Sequence, residues 1–274
     1  MIAFDRVSVR YPASKTRALD EVTLEARARR ITAVAGPNGS GKSTLVRALL
    51  RRQSLETGQI SIDGSPIDSL ANSEIARRVA VTPQREDPAF PMRVAEYVAL
   101  GRYPRLGLWR GAAAPDHAAV DSAMSRAGIG EFAGRRTDEL SGGEWQRARI
   151  ARALAQEARA LVLDEPSTFL DLSHEMALFE LLHALAAEGM AVLLVSHQLN
   201  LVARFANQIV LLNHGRVVAV GPPDDVMQAR LLEQVYEWPL VITRDPAVGA
   251  PSLVPLRSRG VLQTNRPSPI TELR

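Results

Sequence analysis

The feature that most constrains this chain is a glycine-rich run at residues 36–43, GPNGSGKS, which fits the pattern G-x-x-x-x-G-K-S/T. The apolar run at residues 31–35 before it predicts a buried strand, and residues 45–52 after it are typical of a helix. Glycines between a strand and a helix let backbone N–H groups surround phosphate oxygens, and the helix N-terminus adds positive potential. We therefore predict a phosphate-binding loop rather than an incidental glycine-rich turn.

Two residues at the end of this loop suit a nucleoside triphosphate. Lys42 can reach the β- and γ-phosphates, and the Ser43 hydroxyl can hold Mg²⁺. Lysine is otherwise rare, because Lys15 and Lys42 are the only lysines among 33 basic residues. A lysine kept at this position in so arginine-rich a chain agrees with a specific role.

A second element with chemical potential is the acidic pair that follows the apolar run at residues 160–163. Asp164, at the end of this predicted strand, can reach the water shell of Mg²⁺, and Glu165 can point at an attacking water. On its own, the pair could equally be a solvated strand end. Next to a phosphate-binding loop, we interpret it as part of a hydrolytic site.

A third element opens a helix at residues 140–144, LSGGE. Ser141 is a suitable N-cap, and Glu144 three residues later completes a capping box, which could be its whole purpose. The cap does not explain Gly142 and Gly143. Two glycines expose backbone N–H groups at a helix N-terminus, and this predicts a second phosphate site.

The order of predicted elements indicates an α/β fold. Strands dominate residues 1–83, helices alone are expected over residues 84–157, and strand–helix alternation resumes after residue 158. We expect one domain over residues 1–240, with a core of residues 1–83 and 158–240, a β-rich N-terminal part and an all-helical insertion. Residues 241–274 are predicted to be a partly irregular extension, because five of the 17 prolines lie beyond residue 243.

These motifs, in this order, resemble the ATPase subunit of an ATP-binding cassette (ABC) transporter over residues 1–240, a P-loop NTPase fold. Gln84 resembles the glutamine of the family's Q-loop, residues 140–146 its signature motif, residues 167–171 its D-loop, and His197 its switch histidine. Tyr11 lies where the family has an aromatic residue that stacks on adenine. Taken alone, Tyr11 could be a core aromatic residue, Gln84 a turn residue and His197 a core histidine.

The resemblance implies ATP and Mg²⁺ as cofactors. Glu165, His197, Gln84 and Lys42 would serve catalysis. Mg²⁺ would be held by Ser43, Gln84 and Asp164. The expected nucleotide-binding set is Tyr11, Gly36, Pro37, Asn38, Gly39, Ser40, Gly41, Lys42, Ser43, Thr44, Gln84, Ser141, Gly142, Gly143, Asp171 and His197.

The family's ATPases work as head-to-tail dimers, so the resemblance implies a homodimer in which one subunit's signature motif meets the other's ATP. It also implies separate transmembrane permease subunits that dock near residues 85–105, and a substrate-binding protein that acts indirectly. Pro88, Phe90, Pro91 and Met92 would supply apolar contacts, unless the segment is an ordinary surface loop. The expected location is the cytoplasmic face of the cell membrane, as a peripheral subunit.

Composition narrows the remaining classes. The net charge of +3 gives no reason to expect a nucleic-acid partner. The absence of cysteine excludes disulfides and thiolate metal sites, and no apolar run approaches the roughly 20 residues of a membrane span. We expect no signal peptide at the N-terminus.

Smaller likenesses point to importers of ferric siderophores, haem or vitamin B12, at residues 98–104, 168–174, 197–201, 221–223 and 235–239. Gln198 departs from the aspartate that is common after the switch histidine. We expect an iron–siderophore cargo, with haem and vitamin B12 as alternatives. A soluble cassette ATPase of DNA repair or translation, and a nucleotide-binding module that does not hydrolyse, are the other classes.

Overall fold

The computed structural model describes residues 1–12, 14–86, 90–106, 113–168 and 170–257. The strands are β1 (Ile2–Arg10), β2 (Arg17–Ala26), β3 (Arg30–Ala35), β4 (Thr57–Ile62), β5 (Ser65–Pro66), β6 (Val79–Thr82), β7 (Ala160–Asp164), β8 (Ala191–Val195), β9 (Gln208–Asn213), β10 (Arg216–Gly221), β11 (Leu240–Arg244) and β12 (Pro251–Pro255). The α-helices are α1 (Lys42–Leu49), α2 (Asn72–Arg78), α3 (Val94–Ala99), α4 (Ala114–Arg126), α5 (Gly142–Ala155), α6 (Leu172–Ala187), α7 (Leu199–Phe205), α8 (Pro223–Val226) and α9 (Ala229–Tyr236).

The central sheet has the strand order β10-β9-β3-β8-β7-β6. Every pairing is parallel except that of β10 with β9. Strands β3, β7 and β8 are apolar and almost wholly buried, as expected for parallel strands covered on both faces. Because these strands are parallel, their carboxyl ends share one edge, where the residues that follow Ala35, Asp164 and Val195 come together.

The two faces of the central sheet belong to different apolar cores. Ile31, Ala33 and Ala35 of β3 pack with α3–α7 and α9, whereas Val34 packs with α1 and the N-terminal strands. This alternation follows from the two-residue period of a strand. The second core is closed by an antiparallel sheet with the order β2-β1-β4-β5. The predicted α/β fold class, with a β-rich N-terminal part, is confirmed.

The region between β6 and β7 has helices as its only regular secondary structure in the described residues, as predicted. It holds α3, α4, α5 and three short 3₁₀ helices, and its single β-type pairing there is the isolated bridge between Arg93 and Arg136. Helix α5 packs on both α3 and α4. The insertion is therefore a small bundle built around the helix that carries the predicted signature motif.

The extension predicted over residues 241–274 as partly irregular contains a regular element up to Pro255. Strands β11 and β12 form an antiparallel hairpin, with Leu240 opposite Pro255 and Arg244 opposite Pro251. Two of the five prolines beyond residue 243, Pro251 and Pro255, stand at the two ends of β12, and the two-stranded sheet leaves each strand an open edge that tolerates a missing N–H group. Residues 258–274 of the predicted extension lie outside the described part of the chain.

Candidate nucleotide site

The phosphate-loop candidate connects the end of β3 to the start of α1, and its backbone depends on glycine at two positions. Gly36 has φ 147° and Gly41 has φ 109°. A Cβ atom on Gly36 would lie 2.1 Å from the Leu212 carbonyl oxygen, and one on Gly41 would lie 2.5 Å from the Ala18 carbonyl oxygen. The loop can therefore pack this closely against its neighbours, and against a ligand, only with glycine at positions 36 and 41.

Lys42 lies inside the loop as the first residue of α1. Its buried ammonium group donates hydrogen bonds to the carbonyl oxygens of Gly36 (2.8 Å) and Pro37 (3.0 Å). Burial lowers the pKa of Lys42, and the nearby charges of Glu165 and Asp164 oppose that shift. Helix α1 has no side-chain cap and no acidic residue in its first turn. The loop therefore combines free amide donors with a desolvated cation, which suits a phosphate group.

Asp164 is the last residue of β7 and is buried. Its Oδ1 atom has no hydrogen-bond partner among the described residues, and its carboxylate is hydrogen-bonded to the Ser43 side chain. Burial, and next the charge of Glu165, raise the pKa of Asp164. A buried carboxylate oxygen without a partner beside a hydroxyl is an oxygen donor set that fits Mg²⁺.

Glu165 and His197 meet at the edge of the central sheet. Asp164 of β7 and Val195 of β8 are register partners, so the residues that follow them are neighbours. The Glu165 carboxylate accepts hydrogen bonds from the His197 amide (3.3 Å) and contacts His197 Nδ1. Glu165 has φ 50°, an unfavourable backbone angle for a non-glycine residue. The His197 side chain is 53% exposed, which excludes a core histidine.

Tyr11 follows β1 and lies against the start of α1. Its hydroxyl is 3.2 Å from Thr44 Oγ1 and accepts a hydrogen bond from Arg47 (3.1 Å). Burial alone would raise the pKa of Tyr11, but the hydrogen bonds of Thr44 and Arg47 outweigh it, so the pKa is lowered. Tyr11 is not among the buried core residues, and the alternative of a core aromatic does not apply.

The capping box at the start of α5 is present as predicted. The Glu144 amide donates to Ser141 Oγ (3.3 Å), and the Ser141 amide donates to Glu144 Oε2 (2.7 Å). Gly142 is exposed, with open space where a Cβ would be, whereas Gly143 lies directly beneath the His174 ring. The two glycines therefore differ, because Gly143 is required by packing within the chain.

Comparison with known proteins shows the family to which the chain belongs. The sequence profile of the ABC transporter family matches residues 19–168. The chain belongs to the ABC transporter ATP-binding family. It is 41% identical over 238 residues to the Ferric enterobactin transport ATP-binding protein FepC of Escherichia coli (strain K12), covering 86% of this chain and 88% of that protein.

Two further ABC proteins are similar to the chain. The Hemin import ATP-binding protein HmuV of Streptomyces coelicolor (strain ATCC BAA-471 / A3(2) / M145) is 43% identical over 240 residues, which are 88% of this chain and 85% of that protein. A solved inward-facing conformation of a putative metal-chelate type ABC transporter matches with a TM-score of 0.82 and 26% identity, over 93% of this chain and 97% of that one. Members of this family are ATPases.

The D-loop candidate of this ABC cassette leads into α6. Asp171 is the N-cap of that helix, and its Oδ1 atom accepts from the His174 amide (2.9 Å) and contacts His174 Nδ1 (2.7 Å). These two interactions, together with a hydrogen bond from Ser173, lower the pKa of Asp171 to about 2. Phe169, within the predicted D-loop, lies outside the described residues.

Gln84 follows β6 and Pro83 and is exposed. Two residues later, Glu86 ties this ABC segment to α5, a link that the sequence did not reveal. Its carboxylate accepts from the Tyr97 hydroxyl (2.9 Å) and from Arg152 Nη2 (2.9 Å), and its carbonyl oxygen accepts from Trp145 (3.0 Å). The segment after Gln84 is therefore anchored to α5, the helix that carries the predicted signature motif.

The docking segment predicted over residues 85–105 presents several apolar side chains. Phe90, Leu100 and Tyr103 are exposed, the last at 79%. Met92, predicted to face a partner, instead packs partly against the core of its own chain. Pro88 lies outside the described residues.

In the described residues, no helix combines the length and apolar character needed to cross a bilayer. Within the same part of the chain, no cluster of three or more His, Cys, Asp or Glu side chains could hold a metal ion. The Mg²⁺ candidate described above differs from such a cluster, because it pairs one carboxylate with a serine hydroxyl.

Proposed function

We propose that this chain is the ATP-hydrolysing subunit of an ABC importer and works as a homodimer with separate permease subunits at the cytoplasmic face of the membrane. The observation that carries this proposal is the meeting of Glu165 with His197 at the same sheet edge as Lys42 and Asp164. One site then combines four groups: a general base (Glu165), its polar partner (His197), a phosphate-binding cation (Lys42) and a metal-ligand candidate (Asp164).

The roles follow from the local chemistry. The loop amides and Lys42 would bind the triphosphate of ATP, and Tyr11 would lie beside the adenine. Ser43 and Asp164, with Gln84 by resemblance, would hold Mg²⁺, which neutralises phosphate charge when bound. Glu165 would orient the attacking water and accept its proton, while His197 would contact the γ-phosphate. Ser141, Gly142 and Gly143 would approach the γ-phosphate of the partner subunit, and Asp171 would help to hold the dimer.

Turnover of the purified chain with Mg²⁺ and ATP tests this proposal. Glu165→Gln keeps the shape of the side chain but removes the base, so we expect phosphate release to fall by about 10²–10⁴-fold. Nucleotide binding should be retained. Glu131→Gln is a matched control, since Glu131 is exposed on a short 3₁₀ helix in the insertion. Equal turnover in wild type and Glu165→Gln would contradict the proposal.

The proposed cargo is an iron–siderophore complex, with haem and vitamin B12 as the alternatives. The similarity to an enterobactin transport protein supports the first choice, and the comparable similarity to a hemin import protein supports haem. The test uses a strain in which Lys42→Ala replaces the wild-type chain, with a ferric siderophore, haem or vitamin B12 supplied in turn as the limiting nutrient. The strain should fail to grow only on the nutrient that is the cargo. Inorganic iron is the control. Normal growth on all three would favour another cargo or a soluble cassette ATPase.

A further inference from the structure

Gln198, the residue that follows His197, uses its side chain to reach α6. Its Nε2 atom donates a hydrogen bond to Glu175 Oε1 (2.5 Å), although 23 residues separate the two along the chain. Glu175 is buried on α6, and Gln198 is half-buried. A buried carboxylate is costly unless it is hydrogen-bonded, so Glu175 depends on the amide that Gln198 supplies.

The side chain of Gln198 is not used to cap its own helix. Gln198 is the N-cap residue of α7, but its side chain makes no hydrogen bond to the amides of that helix. Asp171, the N-cap of α6, does accept from the His174 amide (2.9 Å). N-cap side chains ordinarily satisfy the free amides at a helix start. Position 198 therefore serves the contact with α6 rather than the helix that it begins.

This contact restrains the loop that carries His197. The His197 ring contacts Glu165 and is otherwise exposed, so its position depends on the backbone of the loop. The central sheet holds that backbone on one side, because the Ser196 amide donates to the Val34 carbonyl (3.2 Å) and Ser196 Oγ accepts from the Gln198 amide (3.0 Å). The bond from the Gln198 side chain to α6 adds a restraint from a second element.

The part of α6 that receives this bond is itself well held. The Glu175 amide donates to the Asp171 carbonyl (2.9 Å), within the first turn of the helix. His174, in the same turn, contacts the side chain of Asp171 and packs on Gly143 of α5. Glu175 therefore offers the His197 loop an acceptor whose position is fixed by a capped and packed helix start.

We propose that Gln198 is a positioning residue for hydrolysis, which fastens the His197 loop to α6 through Glu175 and so keeps the His197 ring on Glu165. This inference rests on the function proposed above. The competing explanation is a hydrogen bond that serves only the packing of α6 against α7. Positioning predicts a loss of turnover that depends on the His197 ring, whereas packing alone predicts a loss of stability.

The test exchanges the chemistry of the two side chains in the full chain. Gln198→Glu places a second carboxylate opposite Glu175, and at about pH 8 both are charged, so the hydrogen bond is lost with little change in size. We expect kcat for phosphate release with Mg²⁺ and ATP to fall by about 10-fold, as is typical for one lost hydrogen bond to a charged group. KM for ATP should stay unchanged, because the phosphate-binding loop is untouched. Adding Glu175→Gln again sets an amide opposite a carboxylate and should restore kcat.

A His197→Ala background separates positioning from packing. In that background, Gln198→Glu should have no further effect on the single-turnover rate, because the ring that it positions is gone. Damage to packing alone would lower the rate in both backgrounds. All rates are scaled to the folded fraction, which urea titration of each variant provides.

Asn200→Ala is the matched control. Asn200 lies on α7 two residues after Gln198, and its side chain donates to the Leu253 carbonyl (3.2 Å) and accepts from the Leu253 amide (2.7 Å). The substitution loosens α7 from β12 but leaves the bond to Glu175 in place, so its kcat should equal that of wild type.

Three results overturn the inference alone when wild type is active and Glu165→Gln is not. These are an unchanged kcat in Gln198→Glu, no recovery in the exchanged pair, and an equal loss with and without the His197 ring. An inactive wild type overturns the proposed function as well.

Discussion

Replacing Gly143 with alanine introduces a methyl group into space that the His174 ring occupies. The new Cβ would lie 2.3 Å from His174 Cδ2 and 2.6 Å from Cγ, far inside van der Waals contact. The ring cannot give way freely, because its Nδ1 atom lies 2.7 Å from Asp171 Oδ1 at the cap of α6. Either the contact stays overpacked or this hydrogen bond breaks.

Both outcomes have known magnitudes. Overpacking costs about 1–3 kcal/mol, and a broken hydrogen bond costs about 0.5–1.5 kcal/mol. We therefore expect Gly143→Ala to lower the free energy of unfolding by about 1–3 kcal/mol in urea, with an unchanged dependence on urea concentration. The neighbouring Gly142→Ala is the control, since a Cβ there meets nothing within 4 Å.

The cause can be isolated by removing the ring. In a His174→Ala background, Gly143→Ala should cost less than about 0.5 kcal/mol, which corresponds to a coupling of about 1–3 kcal/mol between the two positions. Equal stability of Gly143→Ala and Gly142→Ala would refute this reasoning. A loss of unfolding free energy in Gly143→Ala that persists without His174 would refute it as well. If removal of the His174 ring restores the stability of Gly143→Ala but not its ATP hydrolysis, Gly143 serves both packing and nucleotide binding.

Two further predictions concern partly buried side chains, Glu86 and Tyr236. Glu86→Gln removes the charge that faces Arg152 and should lower the free energy of unfolding by about 1–3 kcal/mol, so an unchanged urea midpoint would contradict the anchoring role. The pKa of Tyr236 is raised from 10.0 to about 12 in the folded chain, so unfolding releases a proton above pH 10 and stability is lost as the pH rises from about 10 to 12. At pH 11, wild type should have lost about 1.4 kcal/mol more than Tyr236→Phe relative to pH 8, and identical losses in urea titrations would rule out the buried position of the hydroxyl.

The local sequence pattern is sufficient to predict the structure where a motif itself determines the backbone geometry. The residues around Lys42 and Asp164 follow strands whose apolar runs are legible in the sequence, and the parallel pairing of those strands brings their ends together. The boundary of α1 was less accurate. The helix was predicted over residues 45–52, but it begins at Lys42, within the loop motif, and ends at Leu49 shortly before Arg51 adopts φ 55°.

Contacts between distant parts of the chain could not be predicted in this way. The pairing of Glu86 with Arg152, the packing of His174 on Gly143 and the approach of Tyr236 to Gly36 each depend on how separate elements dock. None of them leaves a local spacing signal. The β11–β12 hairpin is hard to predict for a different reason, because prolines such as Pro251 and Pro255 indicate a break in regular structure unless their position at the strand ends is known.

The enclosure of Lys42 by two carbonyl oxygens makes the chain suited to chemical footprinting. Amine acylation has only Lys15, Lys42 and the N-terminus as targets, because every other basic side chain is arginine or histidine. Lys15 is exposed, whereas the Lys42 amine is buried against Gly36 and Pro37. The ratio of label on the two lysines, measured by mass spectrometry, therefore reports how far the loop has opened or filled, with Lys15 as an internal standard in the same molecule.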